Sequence, residues 1–321
     1  MVCTRRAPIE ERPLVLLDVE DPILAEGKVL VDVEYCGVCR TDLHVIEGDL
    51  PVAKEPIIPG HQVVGFRRDT CERVGVAWLH RTCGVCRFCL RGNENLCEMP
   101  TFTGYHVDGG FAETLAVYPD FIYPLPEGLS GLQAAPLLCA GIIGYRAFKR
   151  SRAEEGSRLG LYGFGSSAHI VIQIAKHKGC EVFVMTRGEK HRQLARELGA
   201  TWVGDAYEPP PTLLDCAIVF APVGELVPRA LESLDRGGVL ACAGIYMSDI
   251  PSLDYERHLF QERTLTSVTA NTRRDGVELL KLAVEIPIET HVEEFPLAEA
   301  NEALLRLKRD GIQGSAVLRV Q

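Results

Sequence analysis

Two thiols, a hydroxyl, a carboxylate and an imidazole fall inside one short run, YCGVCRTDLH (35–44), as Cys36, Cys39, Thr41, Asp42 and His44. All five can bind a metal or move a proton. Cys-x-x-Cys alone fits a redox pair, half of a zinc knuckle, or two unrelated buried residues. A second cluster says more. TCGVCRFCLRGNENLC carries Cys83, Cys86, Cys89 and Cys97, enough thiolates to close a tetrahedral shell around zinc with no open position. A closed shell is structural, and ties down a lobe that lacks a core of its own. An iron–sulfur cluster takes the same four thiolates; free or disulfide-bonded cysteines are the plain alternative. The chain has 12 cysteines, which in a reducing compartment more often bind metal or react than form disulfides.

A third run, GLYGFGSSAH, follows an expected strand and opens an expected helix. Gly163, Gly165 and Ala168 fit G-x-G-x-x-G/A. The first glycine permits the tight turn, the second lets backbone amides approach a pyrophosphate, and the small third residue lets helix and strand pack. The helix N-terminus then faces the phosphates. The next strand, EVFVMT, ends in Thr186-Arg187-Gly188, where an NAD-binding chain usually places a carboxylate for the ribose 2′-hydroxyl. With no carboxylate there and Arg187 available for a 2′-phosphate, the loop favours NADP over NAD.

These runs need a frame, and the chain supplies two textures. Up to about residue 125 it is rich in short alternating segments such as KVLVDVEYC, with much Gly, Pro and Cys, and reads as a mostly β domain. From about 131, GLQAAPLLCAGIIGYRAFKR reads as a largely buried helix. Strand and helix patterns then alternate (RLGLYGF, EVFVMT, LDCAIVF and GGVLACAGI among the strands), which calls for a parallel sheet covered on both faces. After about 288, THVEEFPL, a helix AEANEALLRLKRDG and a strand GSAVLRV have the length to return to the first domain. The 321 residues suffice for two domains, and 46% hydrophobic with 24% charged residues is ordinary for a soluble globular protein. A net charge of −10 argues against a nucleic-acid partner. MVCTRRAPIEERP has no apolar signal region, and no apolar run spans a bilayer, so the expectation is a cytoplasmic protein with no membrane partner.

Taken together, GVCRTDLH (37–44), PGHQVVG (59–65), the four-cysteine lobe, DGGFAE (108–113), APLLCAG (135–141), the glycine loop and the last strand resemble the zinc-dependent alcohol dehydrogenases of the medium-chain dehydrogenase/reductase superfamily. FTGYHVDGG, PLLCAGIIGYRA and YGFGSSAH are most similar to the bacterial branch related to cinnamyl-alcohol dehydrogenases. The resemblance implies an α/β chain with a GroES-like, mostly β catalytic domain (1–130 and 289–321, with the zinc lobe 83–97) and a Rossmann, doubly wound coenzyme domain (131–288). It implies two zinc ions, a small alcohol or aldehyde substrate, hydride exchange with a nicotinamide, and a homodimer or homotetramer.

Residue by residue, it makes Cys39, His61 and Cys139 the catalytic-zinc ligands, with a fourth position open. It makes Thr41 the hydroxyl that hydrogen-bonds the substrate oxygen, Asp42 the carboxylate that orients His61, and His44 the histidine of the proton relay. Cys36 has no counterpart role and reads as a small buried hydrophobe. The chain departs from the family pattern at Gln62, where Glu is usual; at Ser315, where an arginine often binds pyrophosphate; and over 65–76, a shortened segment with Cys71-Glu72 in place of Gly-Asp. Leu50 replaces a bulky aromatic of small-alcohol enzymes, which leaves room for larger or aromatic aldehydes; Trp78, Phe102 and Tyr105 are candidates for the pocket wall or for core. Three other readings stand beside this one: a zinc-free quinone or enone reductase, a non-catalytic NADP-binding zinc protein, and a redox sensor in which Cys36 and Cys39 form a disulfide.

Overall fold

The computed structural model describes all of residues 1–321 and divides into two compact units, 1–142 with 270–321, and 143–269. In the first unit one mixed sheet runs in the order Val292–Pro296, Ser315–Arg319, Val29–Val38, Gln62–Arg67, Arg73–Val76, Ile122–Pro124, with Thr114–Val117 also paired to Val29–Val38. The C-terminal strand therefore does return to the first domain, antiparallel to residues 35–38. Strand Val29–Val38 shows why the alternating pattern works. Val31 and Val33 point inward and are fully buried. A bulge between Val33 and Tyr35 resets the phase, so Cys36 and Val38 stay on the buried face.

The shortened segment forms a closed hairpin. Val63, Val64, Gly65 and Phe66 pair with Val76, Gly75, Val74 and Arg73, and the tip is tied by Cys71 N–H to Arg67 O at 2.8 Å. Cys71 sits there at φ 57°, a left-handed conformation unfavourable to a side chain. Arg68 secures the hairpin from outside through Asp32 (2.6 Å) and Asp21 (3.0 Å). The short tip lies at the surface, and the ladder is fully paired.

The buried run after residue 130 is helical throughout, but not uniform. Ser130 caps it, its hydroxyl accepting the Gln133 N–H at 3.2 Å. The α-helix Gly131–Pro136 widens to a π-helix over Leu137–Gly141 and resumes as α over Ile142–Ser151. Pro136 has no N–H to give the ladder, and the helix changes pitch just after it.

Beside the sheet, strand Leu79–Arg81 pairs with Thr101–Phe102. His80 on it is 2% exposed, and neither ring nitrogen has a hydrogen-bond partner. Its ring packs edge-on against Tyr118, over which Lys28 and Arg81 also stand. Burial, with Lys28 and Arg81 adding to it, lowers this imidazole to about 4.

The second unit is the doubly wound domain. Its six-stranded parallel sheet runs Trp202–Gly204, Glu181–Met185, Arg158–Tyr162, Leu214–Val219, Leu234–Cys242, Thr264–Ser267, the Rossmann order 3-2-1-4-5-6. Leu159, Leu161, Val182, Val184, Ala217, Ile218 and Val219 are fully buried, as central strands covered on both faces must be. By packing, residues 131–142 and 270–288 lie with the first unit. No helix in the chain is long and apolar enough to cross a membrane.

Candidate active site

Cys39 is the N-cap of the helix Arg40–Glu47. Its sulfur accepts the Thr41 N–H at 3.4 Å, and its own N–H is taken by Asp42 Oδ2 at 2.9 Å. A sulfur in this position faces the positive end of the helix dipole, which favours thiolate. His61 arrives just before strand Gln62–Arg67 and Cys139 from the middle of the π-helix. His61 Nε2 lies 3.3 Å from Cys39 Sγ and 3.4 Å from Cys139 Sγ. Ligands on one tetrahedral zinc would stand about 3.5 Å apart for a sulfur–nitrogen edge, so this donor set fits zinc.

Buried Asp42 locks the arrangement: Oδ1 accepts from Gly60 N–H at 3.2 Å and from His61 Nδ1 at 3.1 Å. That bond leaves Nε2 of His61 as the ligating nitrogen. The buried donors and Asp42 shift one another's protonation. The hydrogen bond from Cys139 lowers the Cys39 thiol well below its usual value, against the effect of burial. The same shared proton raises Cys139. Burial disfavours a charged His61, but Cys39 and Asp42 outweigh it and raise its pKa.

Thr41 is buried, and His44 follows it one turn later on the same helix. His44 Nδ1 lies 2.8 Å from Asp49 Oδ2. Cys36 is fully buried, with Gly60 and Gly110 packed so closely that a Cβ on either would meet its sulfur at 2.9–3.0 Å. It fills space between strands. Gln62 is buried too, its side chain lying against Gly37, where a Cβ would come within 2.9 Å of it. Ser315 is buried in the last strand, with its N–H on His291 O at 2.8 Å.

The four cysteines of the lobe converge as well. Sulfur separations are 3.5 Å for Cys83–Cys97, 3.6 Å for Cys86–Cys89 and 4.0 Å for Cys83–Cys89. A zinc–thiolate tetrahedron has edges of about 3.8 Å, whereas a disulfide would bring sulfurs to about 2.05 Å. All four are free thiols. Backbone N–H groups of Cys83, Cys86 and Met99 already point at the sulfurs of Cys97, Cys83 and Cys97, and the backbone of Cys89 and Glu98 helps hold Cys86 down to about 6. The lobe is anchored by Glu94, which takes both the side chain (2.7 Å) and the N–H (2.7 Å) of Arg273.

In the second unit the glycine loop has the geometry expected of it. Gly163 has φ 89°, and a Cβ there would meet Ala221 N at 3.0 Å. Gly165 caps the helix Ser166–His177 without a side chain, and the space where its Cβ would stand is open. Ala168 is fully buried. Thr186 is buried at the end of strand Glu181–Met185, and Arg187 is exposed next to it. The nearest following carboxylate, Glu189, is engaged by Arg192 (3.0 Å) and Arg196 (2.7 Å).

Trp78 joins the Cys39–His61–Cys139 cluster to an aromatic stack. The His61 ring meets its face edge-on at 5.0 Å, Phe102 stacks on it at 4.8 Å and Tyr105 at 5.9 Å. Leu50 packs against the core of the first unit. The sequence carries no direct signal for the π-helical setting of Cys139, and only a faint one for Asp49, an acidic residue five positions after His44 across a glycine cap.

Residues 25–127 match the alcohol dehydrogenase GroES-like domain and residues 168–285 the zinc-binding dehydrogenase domain. The chain is 51% identical to a probable alcohol dehydrogenase of Mycobacterium tuberculosis, over 98% of this chain and 95% of that one. A cinnamyl alcohol dehydrogenase from Sorghum bicolor superposes with TM-score 0.86 at 27% identity, covering 94% of this chain and 92% of the other. An acetophenone reductase from Geotrichum candidum, solved with NAD, gives 0.86 at 25% identity over 96% and 94%. On this near-full-length likeness in sequence and fold, the chain belongs to the zinc-dependent alcohol dehydrogenases of the medium-chain dehydrogenase/reductase superfamily.

Proposed function

We propose that this protein interconverts alcohols and aldehydes or ketones with Cys39, His61 and Cys139 holding a catalytic zinc, Cys83, Cys86, Cys89 and Cys97 a structural one, and NADP(H) as the preferred coenzyme. The observation that carries the reading is the convergence of Cys39, His61 and Cys139, three donors from distant parts of the chain, around one point with Asp42 behind the histidine. Zinc there supplies Lewis acidity to the substrate oxygen, and the nicotinamide supplies or accepts the hydride.

The protein's own residues do the rest. Cys39 and Cys139 provide the negative charge, and Asp42 fixes the ring of His61. Thr41 hydrogen-bonds the substrate oxygen and passes its proton on, and His44 exchanges that proton with water. In a coenzyme domain taken as 131–288, Gly163, Gly165 and Ala168 cradle the pyrophosphate. Thr186 and Arg187 face the ribose 2′-position, where the pairing of Glu189 with Arg192 and Arg196 removes the nearest competing charge. The Trp78–Phe102–Tyr105 stack beside His61 favours aromatic aldehydes over small aliphatic ones. A dimer or tetramer in the cytoplasm completes the proposal.

The test is aldehyde-dependent oxidation of NADPH and of NADH, with cinnamaldehyde and acetaldehyde, before and after a chelator removes accessible metal. Turnover with NADPH that is lost on chelation and restored by zinc is expected, and Arg187→Asp should move the preference to NADH by at least tenfold. No turnover with any pair, from protein carrying two zincs per chain, would overturn the enzyme reading.

A further inference from the structure

We propose that Lys28, His80, Arg81 and Tyr118 form an anion site in the first unit, built to take a phosphate group, whether of inorganic phosphate or of a phosphomonoester. The site shares no residue with the Cys39–His61–Cys139 cluster and stands whatever that cluster does.

The backbone sets the four side chains together. Lys28 immediately precedes strand Val29–Val38, Tyr118 immediately follows strand Thr114–Val117, and the two strands pair Val29 with Val117. Lys28 and Tyr118 therefore leave the ladder side by side, with Lys28 Nζ 5.0 Å from the centroid of the Tyr118 ring. Arg81 comes from strand Leu79–Arg81. Its guanidinium carbon lies 4.8 Å from the same centroid, and its Nη1 donates to the Tyr118 hydroxyl at 3.1 Å. His80 closes the group from the inside, its ring edge-on to Tyr118 at 5.4 Å. Successive residues of a regular strand point to opposite faces. Here the register shifts between Leu79 and Arg81, and the irregularity lets His80 and Arg81 both reach Tyr118.

The chemistry of the group is one-sided. The charged groups that act on His80 are Lys28 and Arg81, and the one that acts on Lys28 is Arg81. Burial, with this repulsion added, lowers the Lys28 ammonium from its usual value. An aromatic face attracts a cation through its quadrupole, but it carries no net charge to cancel two. Ammonium and guanidinium groups only donate hydrogen bonds. The Tyr118 hydroxyl accepts from Arg81 and still has its own hydrogen to give. The neutral imidazole of His80 has one N–H, and this ring is 2% exposed with neither nitrogen bonded. Four donors, two of them cationic, converge with no carboxylate among them. A phosphate group is their complement: it brings close to two negative charges and several acceptor oxygens, and it matches the guanidinium fork. Arg81 is exposed and Lys28 half-buried, so the anion has a way in from solvent, with His80 as the deepest donor.

The test is NMR of the histidine rings in the zinc-loaded full chain, in phosphate-free buffer. The His80 signal is assigned by its loss in His80→Phe, or in His80→Gln should the phenylalanine variant not fold. Sodium phosphate and glycerol 3-phosphate are titrated separately, with sodium chloride holding the ionic strength constant. Expected is a saturable shift of the His80 signal, with affinity lowered about tenfold or more in Lys28→Met and in Arg81→Gln. Both variants should keep the parent's zinc content, and phosphate should raise the unfolding midpoint of the parent by more than theirs. Tighter binding of glycerol 3-phosphate would support the site as one for a phosphomonoester, and tighter binding of phosphate would support it as one for the free ion. A His80 signal that neither compound moves, or that sodium chloride alone moves equally, would overturn the proposal. So would an affinity unchanged in both variants.

Discussion

Replacing His80 with phenylalanine isolates one buried, unpartnered imidazole and its cost. The ring is 2% exposed with neither nitrogen bonded, and burial together with Lys28 and Arg81 brings its pKa from 6.5 to about 4. The unfolded chain therefore takes up a proton first as pH falls. The fold has the full contribution of this group above about 6.5 and loses it progressively down to 4. At ~1.36 kcal/mol per pH unit the total is about 3 kcal/mol, of which about 2 kcal/mol is lost between pH 7 and pH 5. Phenylalanine keeps the ring's shape and cannot titrate. Urea denaturation of parent and variant at pH 7 and pH 5, followed by tryptophan fluorescence, gives the double difference, and acid effects on the cysteines cancel because both proteins share them. The variant should gain roughly 2 kcal/mol on the parent between the two pH values. A gain below about 0.5 kcal/mol, within the usual scatter of independent sites, would mean that His80 is hydrated or bonded in solution, and the burial argument would fail.

Other substitutions test the site and its frame. Asp42→Asn should weaken zinc at Cys39, His61 and Cys139 by about 10–100-fold; chelator competition should show the four-cysteine site unaffected, and equal affinity at both sites would contradict the orienting role. Gly163→Ala places a Cβ at φ 89° and 3.0 Å from Ala221 N, and should reduce coenzyme affinity at least tenfold in a fluorescence titration while leaving zinc content unchanged. Cys71→Gly removes a side chain from a left-handed turn and should stabilise by about 1 kcal/mol, read as a higher unfolding midpoint under reducing conditions.

What could be read from the sequence depended on distance along the chain. The four-cysteine lobe and the glycine loop are local, and spacing alone pointed to the residues that come together in each. Cys39, His61 and Cys139 lie far apart in sequence, so no local rule connects them; only likeness to a family of known arrangement did. Cys36 and Cys39 look equivalent in the sequence, and only the strand's inward phase and the helix start separate a space-filler from a candidate ligand. The run from 131 read as one helix because apolar periodicity does not distinguish α from π pitch. The shortened hairpin was legible as a short segment but not as a paired turn, since its strands pair with residues 31–37 and 122–124. Asp49 was invisible because its partner is reached by reversal through a glycine, a contact that sequence spacing on a helix does not describe.

One stretch concentrates an unusual share of the chemistry: residues 39–49 carry the proposed metal ligand, which also caps a helix, a hydroxyl, a carboxylate bonded to His61, the proposed relay imidazole and its aspartate. Each residue of an α-helix turns the chain by about 100°. An insertion or loss of a single codon within this stretch would therefore swing every later group away from its target at once, and no point substitution could restore the register. The hairpin at 62–76 stands at the other extreme, its ladder closed by a short exposed tip. Natural length variation in this protein should thus avoid the former and gather in the latter, which makes the hairpin tip the place to insert a tag or sensor and the helix the place to leave untouched.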